Sequence, residues 1–154
     1  MRRAPARLPS CSIGHNGAVD AVRVEEVRVL PGRIVAEVLV DARARTATPE
    51  LAAALLERFP TLAEHSCVND EGGTLAAVLD HTSVPHLLEH LVIDLQTRAA
   101  GAADDVFVGT TEWVREREGR ARVQVSFTDD LVALRALTQA TRLLNELLLP
   151  PDLH

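Results

Sequence analysis

Residues 83–101 leave the chain little conformational choice. Ser83 supplies a hydroxyl N-cap, Pro85 falls in the first turn, where a missing N–H is harmless, and Gly101 closes the far end. Between these signals, Leu87, Leu88, Leu91, Val92 and Leu95 share one side of a helical wheel. His86, Glu89, His90, Asp94, Gln96 and Thr97 share the other, with Ile93 alone intruding on the polar arc. Such a helix needs a partner for its apolar face and presents a compact stripe of ligand-type groups.

The partner is a sheet. Val22-Arg23-Val24 and Val27-Arg28-Val29 alternate apolar and polar, and the phase slips at Glu25-Glu26, as a bulged strand requires. Pro31-Gly32 turns the chain into a second, more apolar strand over Ile34–Val40. Residues Val106–Val114 and Ala121–Phe127 predict another hairpin around Gly119, with Ala121, Val123, Val125 and Phe127 on one face and Arg120, Arg122, Gln124 and Ser126 on the other. Thr48-Pro49-Glu50 starts a helix that stops near Pro60. Residues 61–73 read as a loop, Thr74 as the cap of a short helix over Leu75–Leu79, and Thr128 as the cap of a final helix. That helix carries Leu131, Leu134, Leu137, Leu144 and Leu148 on its buried face and stops at Pro150-Pro151. The order β-β-α-α-α-β-β-α predicts an α+β fold: an antiparallel or mixed sheet from two hairpins, with helices packed on one face.

At 154 residues the chain has the length of one domain, read here as residues 20–150 behind a flexible arm over residues 1–19 that carries Cys11 and His15. Aromatics are 3% of the sequence, so the core is built from Leu, Val and Ala. A net charge of -6 argues against a nucleic-acid partner. No stretch is long enough to cross a membrane, and no signal peptide is recognisable, so a cytoplasmic location is expected. All 16 basic residues are Arg, which reads as GC-rich coding rather than as function.

His86 and His90 are one helical turn apart, a spacing at which two imidazoles converge on one zinc ion. Glu89 sits beside that point, where a general base takes a proton from water that the ion has acidified. The pattern His-x-x-Glu-His is the inverted zincin motif. The plain alternative is a surface helix whose polar stripe faces water. A zinc site needs a third ligand. The loop with His65 and Cys67 is the first source, with Glu71, Glu112 and Glu146 as further candidates, although a lone cysteine is more often an inert core thiol. Asp94 is too far along the axis to share an ion with His86 and is expected to orient His90 from behind. His81 bonds locally. Arg115, Arg117, Arg120 and Arg122 cluster on the second hairpin, with Glu116 and Glu118 interleaved. They form either a solvated tip or, through Arg120 and Arg122, a contact for an acidic polymer or peptide.

His65-Ser66-Cys67, Gly72-Gly73, His86-Leu87-Leu88-Glu89-His90-Leu91-Val92-Ile93-Asp94-Leu95-Gln96, Ala100-Gly101 and Phe107-Val108-Gly109-Thr110 occur in this order. Together they resemble the N-terminal domain of cyanophycin synthetase, over about Val22–Leu148 and most specifically over residues 59–112. The resemblance implies a domain that holds an Asp/Arg polymer and, in many members, a metallopeptidase-like site that trims polymer into primers. His86 and His90 then carry over as metal ligands and Glu89 as the catalytic carboxylate, while His65 and Cys67 match the second motif. The synthetase's ATP-grasp and Mur-ligase-like domains do not fit in 154 residues, so a stand-alone copy is expected. Three positions depart from the family pattern: Asp94 replaces Glu, Glu112 replaces Arg and Thr74 replaces an aromatic. These differences bear on substrate more than on metal.

The leading expectation is a zinc-dependent hydrolase of peptide or isopeptide bonds, acting on a peptide or polyamide such as an Asp/Arg polymer. The alternatives are a binding module for a charged peptide polymer, or an accessory subunit of a separate ATP-dependent ligase, and a structural domain without metal. Leu147 and Leu149 are candidates for a homodimer contact.

Overall fold

The computed structural model describes residues 20–67, 73–101 and 106–148. The N-terminal arm, the loop residues Glu71 and Gly72, Leu149 and the Pro150-Pro151 stop lie outside the described residues.

Four strands form one antiparallel sheet: β1 (Val22–Leu30), β2 (Arg33–Val40), β3 (Gly109–Trp113) and β4 (Arg120–Ser126). The order across the sheet is β1-β2-β4-β3, so the two hairpins join through β2 and β4. The bulge expected at Glu25-Glu26 is present as a register shift between Val24 and Glu26. Strict alternation puts Ile34, Ala36, Val38 and Val40 of β2, and Ala121, Val123 and Val125 of β4, into the core.

The described residues form three helices, α1 (Pro49–Arg58), α2 (Val84–Ala100) and α3 (Asp130–Leu148); α2 and α3 cover that face and α1 packs against α3. The caps form as their residue types dictate. Thr48 Oγ1 accepts from Leu51 N–H and Ser83 Oγ from His86 N–H, while Gly101 ends α2 at φ +69°, a conformation that strains any side chain. Backbone bonds from Ala47 N–H to Thr82 and from Val84 N–H to Arg45 fix the entry to α2. At the other end of the fold, the Asn145 amide grips both main-chain groups of Val22 at 2.8 Å, tying α3 to the edge strand β1.

Five expectations are corrected. Leu75–Leu79 is a run of turns rather than a helix, since so short a segment cannot offset helix nucleation, although Leu75 and Leu79 still plug the core. Pro60–Glu64, read as loop, is a 3-10 helix. The third strand starts at Gly109 rather than Val106. At Val108 the N–H donates to the Ser126 side chain instead of its main chain, and Val106 and Val108 are 83% and 64% exposed. Asp129, rather than Thr128, caps α3, accepting from Leu131 and Val132 N–H. Leu131 is 62% exposed because the packing phase of α3 is set by Ala133, Ala136, Leu137, Ala140 and Leu144. No helix among the described residues is long and apolar enough to cross a membrane.

Candidate metal centre

Most of the polar stripe of α2 is withdrawn from water, with His86 half-buried and Thr97 exposed. Glu89, His90, Asp94 and Gln96 are all buried, in a helix whose apolar face is buried as well. Gln96 spends its amide on the Ser126 carbonyl at 3.1 Å. The other three groups form the floor of a cleft of about 1070 Å³, walled on one side by residues 61–67 and on the other by residues 106–111.

Local backbone geometry aims the first wall. Ser66 and Thr74 form an isolated antiparallel bridge, reinforced by Cys67 N–H to the Gly73 carbonyl and Leu75 N–H to the His65 carbonyl. In extended backbone the side chains of residues i and i+2 share a face. His65 and Cys67 therefore point together at α2.

Their roles differ. Cys67, His86 and His90 each offer a ligand atom, and these atoms lie within 4.8 Å of one another. His65 bonds instead to the rear of His90, Nδ1 to Nδ1 at 3.0 Å, while its Nε2 lies 3.1 Å from Asp94 Oδ1. His65, expected as a further ligand, lies outside that donor group, with its ring nitrogens bonded to His90 and Asp94. Asp94, expected to orient His90, bonds to His65 instead. Thr61 Oγ1 donates to Asp94 Oδ1 at 2.6 Å, and Arg98 Nε pairs with Oδ2 at 3.0 Å, without the alignment of a hydrogen bond.

Proton positions follow from this chain. An ionised Asp94 only accepts, so His65 carries its hydrogen on Nε2. In a neutral His65 ring, Nδ1 then accepts from His90 Nδ1–H, which leaves His90 Nε2 bare. His90 Nε2 lies 3.0 Å from His86 Nε2, and the tautomer of His86 that carries its hydrogen on Nε2 shares that proton between the two lone pairs. Thr82 Oγ1, 2.8 Å from His86 Nδ1, can donate or accept and so suits either tautomer of that ring. A divalent cation fits where the shared proton sits. Tetrahedral zinc bound to two imidazoles and a thiolate separates its donors by about 3.3–3.6 Å, so the ring nitrogens need to open by a few tenths of an ångström and the widest separation in the trio, within 4.8 Å, needs to close toward that range.

Electrostatics favour neutral donors. Burial, and then the proximity of His86 and His65, push the His90 pKa down to about 3, and burial lowers that of His86. Burial opposes ionisation of Asp94, but hydrogen bonds from His65 and Thr61 and the charge of Arg98 outweigh it and hold its pKa below the usual value. Glu89 is shifted the other way. Its burial raises the pKa, against the smaller effects of a hydrogen bond from Thr111 and the nearness of His65. Glu89 Oε1 accepts from Thr111 Oγ1 at 2.7 Å, and Oε2 lies 3.5 Å from His90 Nε2.

Gly109 makes this placement of Glu89 sterically possible. A Cβ there would lie 2.7 Å from Glu89 Cγ and 2.8 Å from the Gln124 carbonyl oxygen. Thr61, Gly109 and Thr111 carry no sequence signal that marks them as site residues, whereas Thr82, one turn before His86, does have a readable spacing, which sequence reasoning missed.

The remaining candidates lie elsewhere. Arg120 and Arg122 alternate with core residues and occupy the opposite face of the sheet, where Arg122 pairs with Glu112 at 3.0 Å and Glu37 at 3.7 Å. That pairing also takes Glu112 away from the cleft. Glu146 meets Arg58 on the surface, and His81 bonds its neighbour Asp80.

No curated protein matches the chain. Residues 33–149 match the family model described as the cyanophycin synthase-like N-terminal domain, a span that takes in the three helices, β4, β3 and all of the cleft residues. The chain therefore belongs to the cyanophycin synthase-like N-terminal domain family.

Proposed function

We propose that this domain is a zinc-dependent hydrolase of peptide or isopeptide bonds, with Cys67, His86 and His90 holding the metal. The observation that carries the proposal is the convergence of those three donors beside a buried carboxylate, Glu89, whose free oxygen is 3.5 Å from one donor nitrogen. Zinc in such a donor set polarises a carbonyl and acidifies water.

The chain's own residues supply the rest. Glu89 Oε2 takes a proton from the attacking water and delivers it to the nitrogen of the leaving amine. Its raised pKa matches it to both halves of that task. Thr111 holds Oε1 and so fixes which oxygen is free. Asp94 and His65 hold His90 with Nε2 turned toward the donor cluster, and Thr82 does the same for His86 through the far ring nitrogen. Burial excludes bulk water and keeps both imidazoles neutral enough to ligate. The family match supports a polyamide of the Asp/Arg type as substrate. A thiol ligand suits a reducing cytoplasm.

Turnover decides the matter. Untagged protein loaded with zinc is expected to release shorter chains from an Asp/Arg polymer. Glu89→Gln should lose this activity while keeping its zinc. Equal turnover by Glu89→Gln, or none by the loaded wild type, overturns the proposal.

A further inference from the structure

We infer that the cleft takes its substrate as an extended polyamide main chain, docked as a fifth strand on the free edge of β3. The inference rests on the hydrolase reading for the position of the scissile bond, but the strand site can be tested without it.

The sheet order leaves β3 with one neighbour, and among the described residues no other strand pairs with its far side. The ladder says which groups are free. Val108 accepts through its carbonyl from Ser126 N–H at 2.8 Å, and Val114 donates its N–H to the Arg120 carbonyl at 2.9 Å. In an antiparallel pair the main-chain groups alternate in direction with period two. Residues 108, 110, 112 and 114 therefore face β4, and Gly109, Thr111 and Trp113 direct N–H and C=O away from the sheet.

That free edge is a wall of the cleft. Thr111 is the pivotal residue. Its hydroxyl holds Glu89, while its main-chain N–H and C=O face outward. A peptide unit bonded to Thr111 lies about 4.8 Å from β3, the ordinary strand spacing, and beside both Glu89 and the metal donors. A small amide would leave most of these edge groups unused, whereas a polymer main chain meets them at every second residue.

The two edges of the sheet differ in a way that fits this assignment. The edge at β1 is blunted by a bulge and by Arg23, Glu25, Glu26 and Arg28, the usual protection against strand addition. The edge at β3 reads Gly-Thr-Thr-Glu-Trp, with one charge and no bulge.

The test is amide hydrogen exchange by NMR on the whole chain, first free of zinc and then loaded. The probe is a blocked hexapeptide of alternating Asp and Arg at millimolar concentration. Slowing of exchange by tenfold or more at Gly109, Thr111 and Trp113, with Thr110 and Glu112 unchanged, is the expected result. Methylating peptide amides one at a time should weaken binding by roughly threefold to tenfold, the worth of one hydrogen bond, at every second position only. Binding without protection at Thr111 overturns the inference, as does no binding at all. Protection without zinc uptake or turnover sinks the hydrolase reading and leaves the strand site standing. Turnover without protection does the reverse.

Discussion

A single methyl group at Gly109 should separate catalysis from metal binding. In Gly109→Ala the new Cβ falls 2.7 Å from Glu89 Cγ, 3.0 Å from Glu89 Cδ and 2.8 Å from the Gln124 carbonyl oxygen. Carbon contacts relax only at about 3.5–4.0 Å. The Gln124 carbonyl belongs to β4, which is paired on both sides, so it cannot retreat. Glu89 must give way by about 1 Å, and residue 109 on the edge strand must itself shift off the Gln124 oxygen. Overpacking of this kind costs about 1–3 kcal/mol, offset by about 0.4–1 kcal/mol because alanine narrows the unfolded ensemble. The net loss of roughly 0.5–2 kcal/mol corresponds to a fall in Tm of about 1–8 °C for a domain of this size. Displacement of a catalytic group by 1 Å costs about a hundredfold in rate. Cys67, His86 and His90 do not touch Gly109 in this way, so zinc affinity should change by less than about threefold. Calorimetry for zinc, scanning fluorimetry for Tm and a polymer-cleavage assay measure all three. Wild-type turnover together with wild-type Tm would refute the steric argument, and loss of zinc in step with activity would show that the glycine supports the whole site rather than Glu89.

Further outcomes follow from the same geometry. His65→Ala should weaken zinc binding by about 10–100-fold without abolishing it, the usual effect of removing a group behind a ligand, whereas His86→Ala should abolish it. Equal losses in calorimetry would return His65 to the ligand set. Zinc-free protein should lose stability as pH falls from 6.5 toward 4.5. The unfolded chain protonates His90 near its ordinary pKa of 6.5, but the folded chain resists until about 3, so up to about 1.4 kcal/mol is lost per pH unit. His86 acts in the same direction and Glu89 partly opposes both. A urea midpoint that stays flat across that window contradicts the burial of these rings. Leu88→Ala, at a fully buried position of α2, should cost about 2–5 kcal/mol in urea unfolding, and a loss below 1 kcal/mol would contradict the packing.

Much of this architecture was legible in the chain because the signals were local. The alternation from Ala121 to Phe127, the slip at Glu25-Glu26 and the caps Thr48, Ser83 and Gly101 each act within a few residues. The pair His86 and His90 was legible for the same reason, since one helical turn fixes their separation. Other features depend on what the fold brings from elsewhere. That the polar stripe of α2 is covered depends on residues 61–67 and β3 closing over it. Which of His65 and Cys67 reaches the donor cluster depends on the bridge between Ser66 and Thr74, and the order β1-β2-β4-β3 depends on the two hairpins meeting. Leucine count misled the reading of α3, because small alanines, rather than Leu131, set how closely that helix approaches the sheet.

The most direct test is anomalous scattering at the zinc edge from crystals of the untagged protein grown with zinc. One peak is expected, within about 2.0–2.3 Å of His86 Nε2, His90 Nε2 and Cys67 Sγ, with His65 still bonded to the rear of His90. A cleft without a peak, or a peak that leaves Cys67 or either of these imidazoles unbound, would contradict the metal centre on which the proposed chemistry depends.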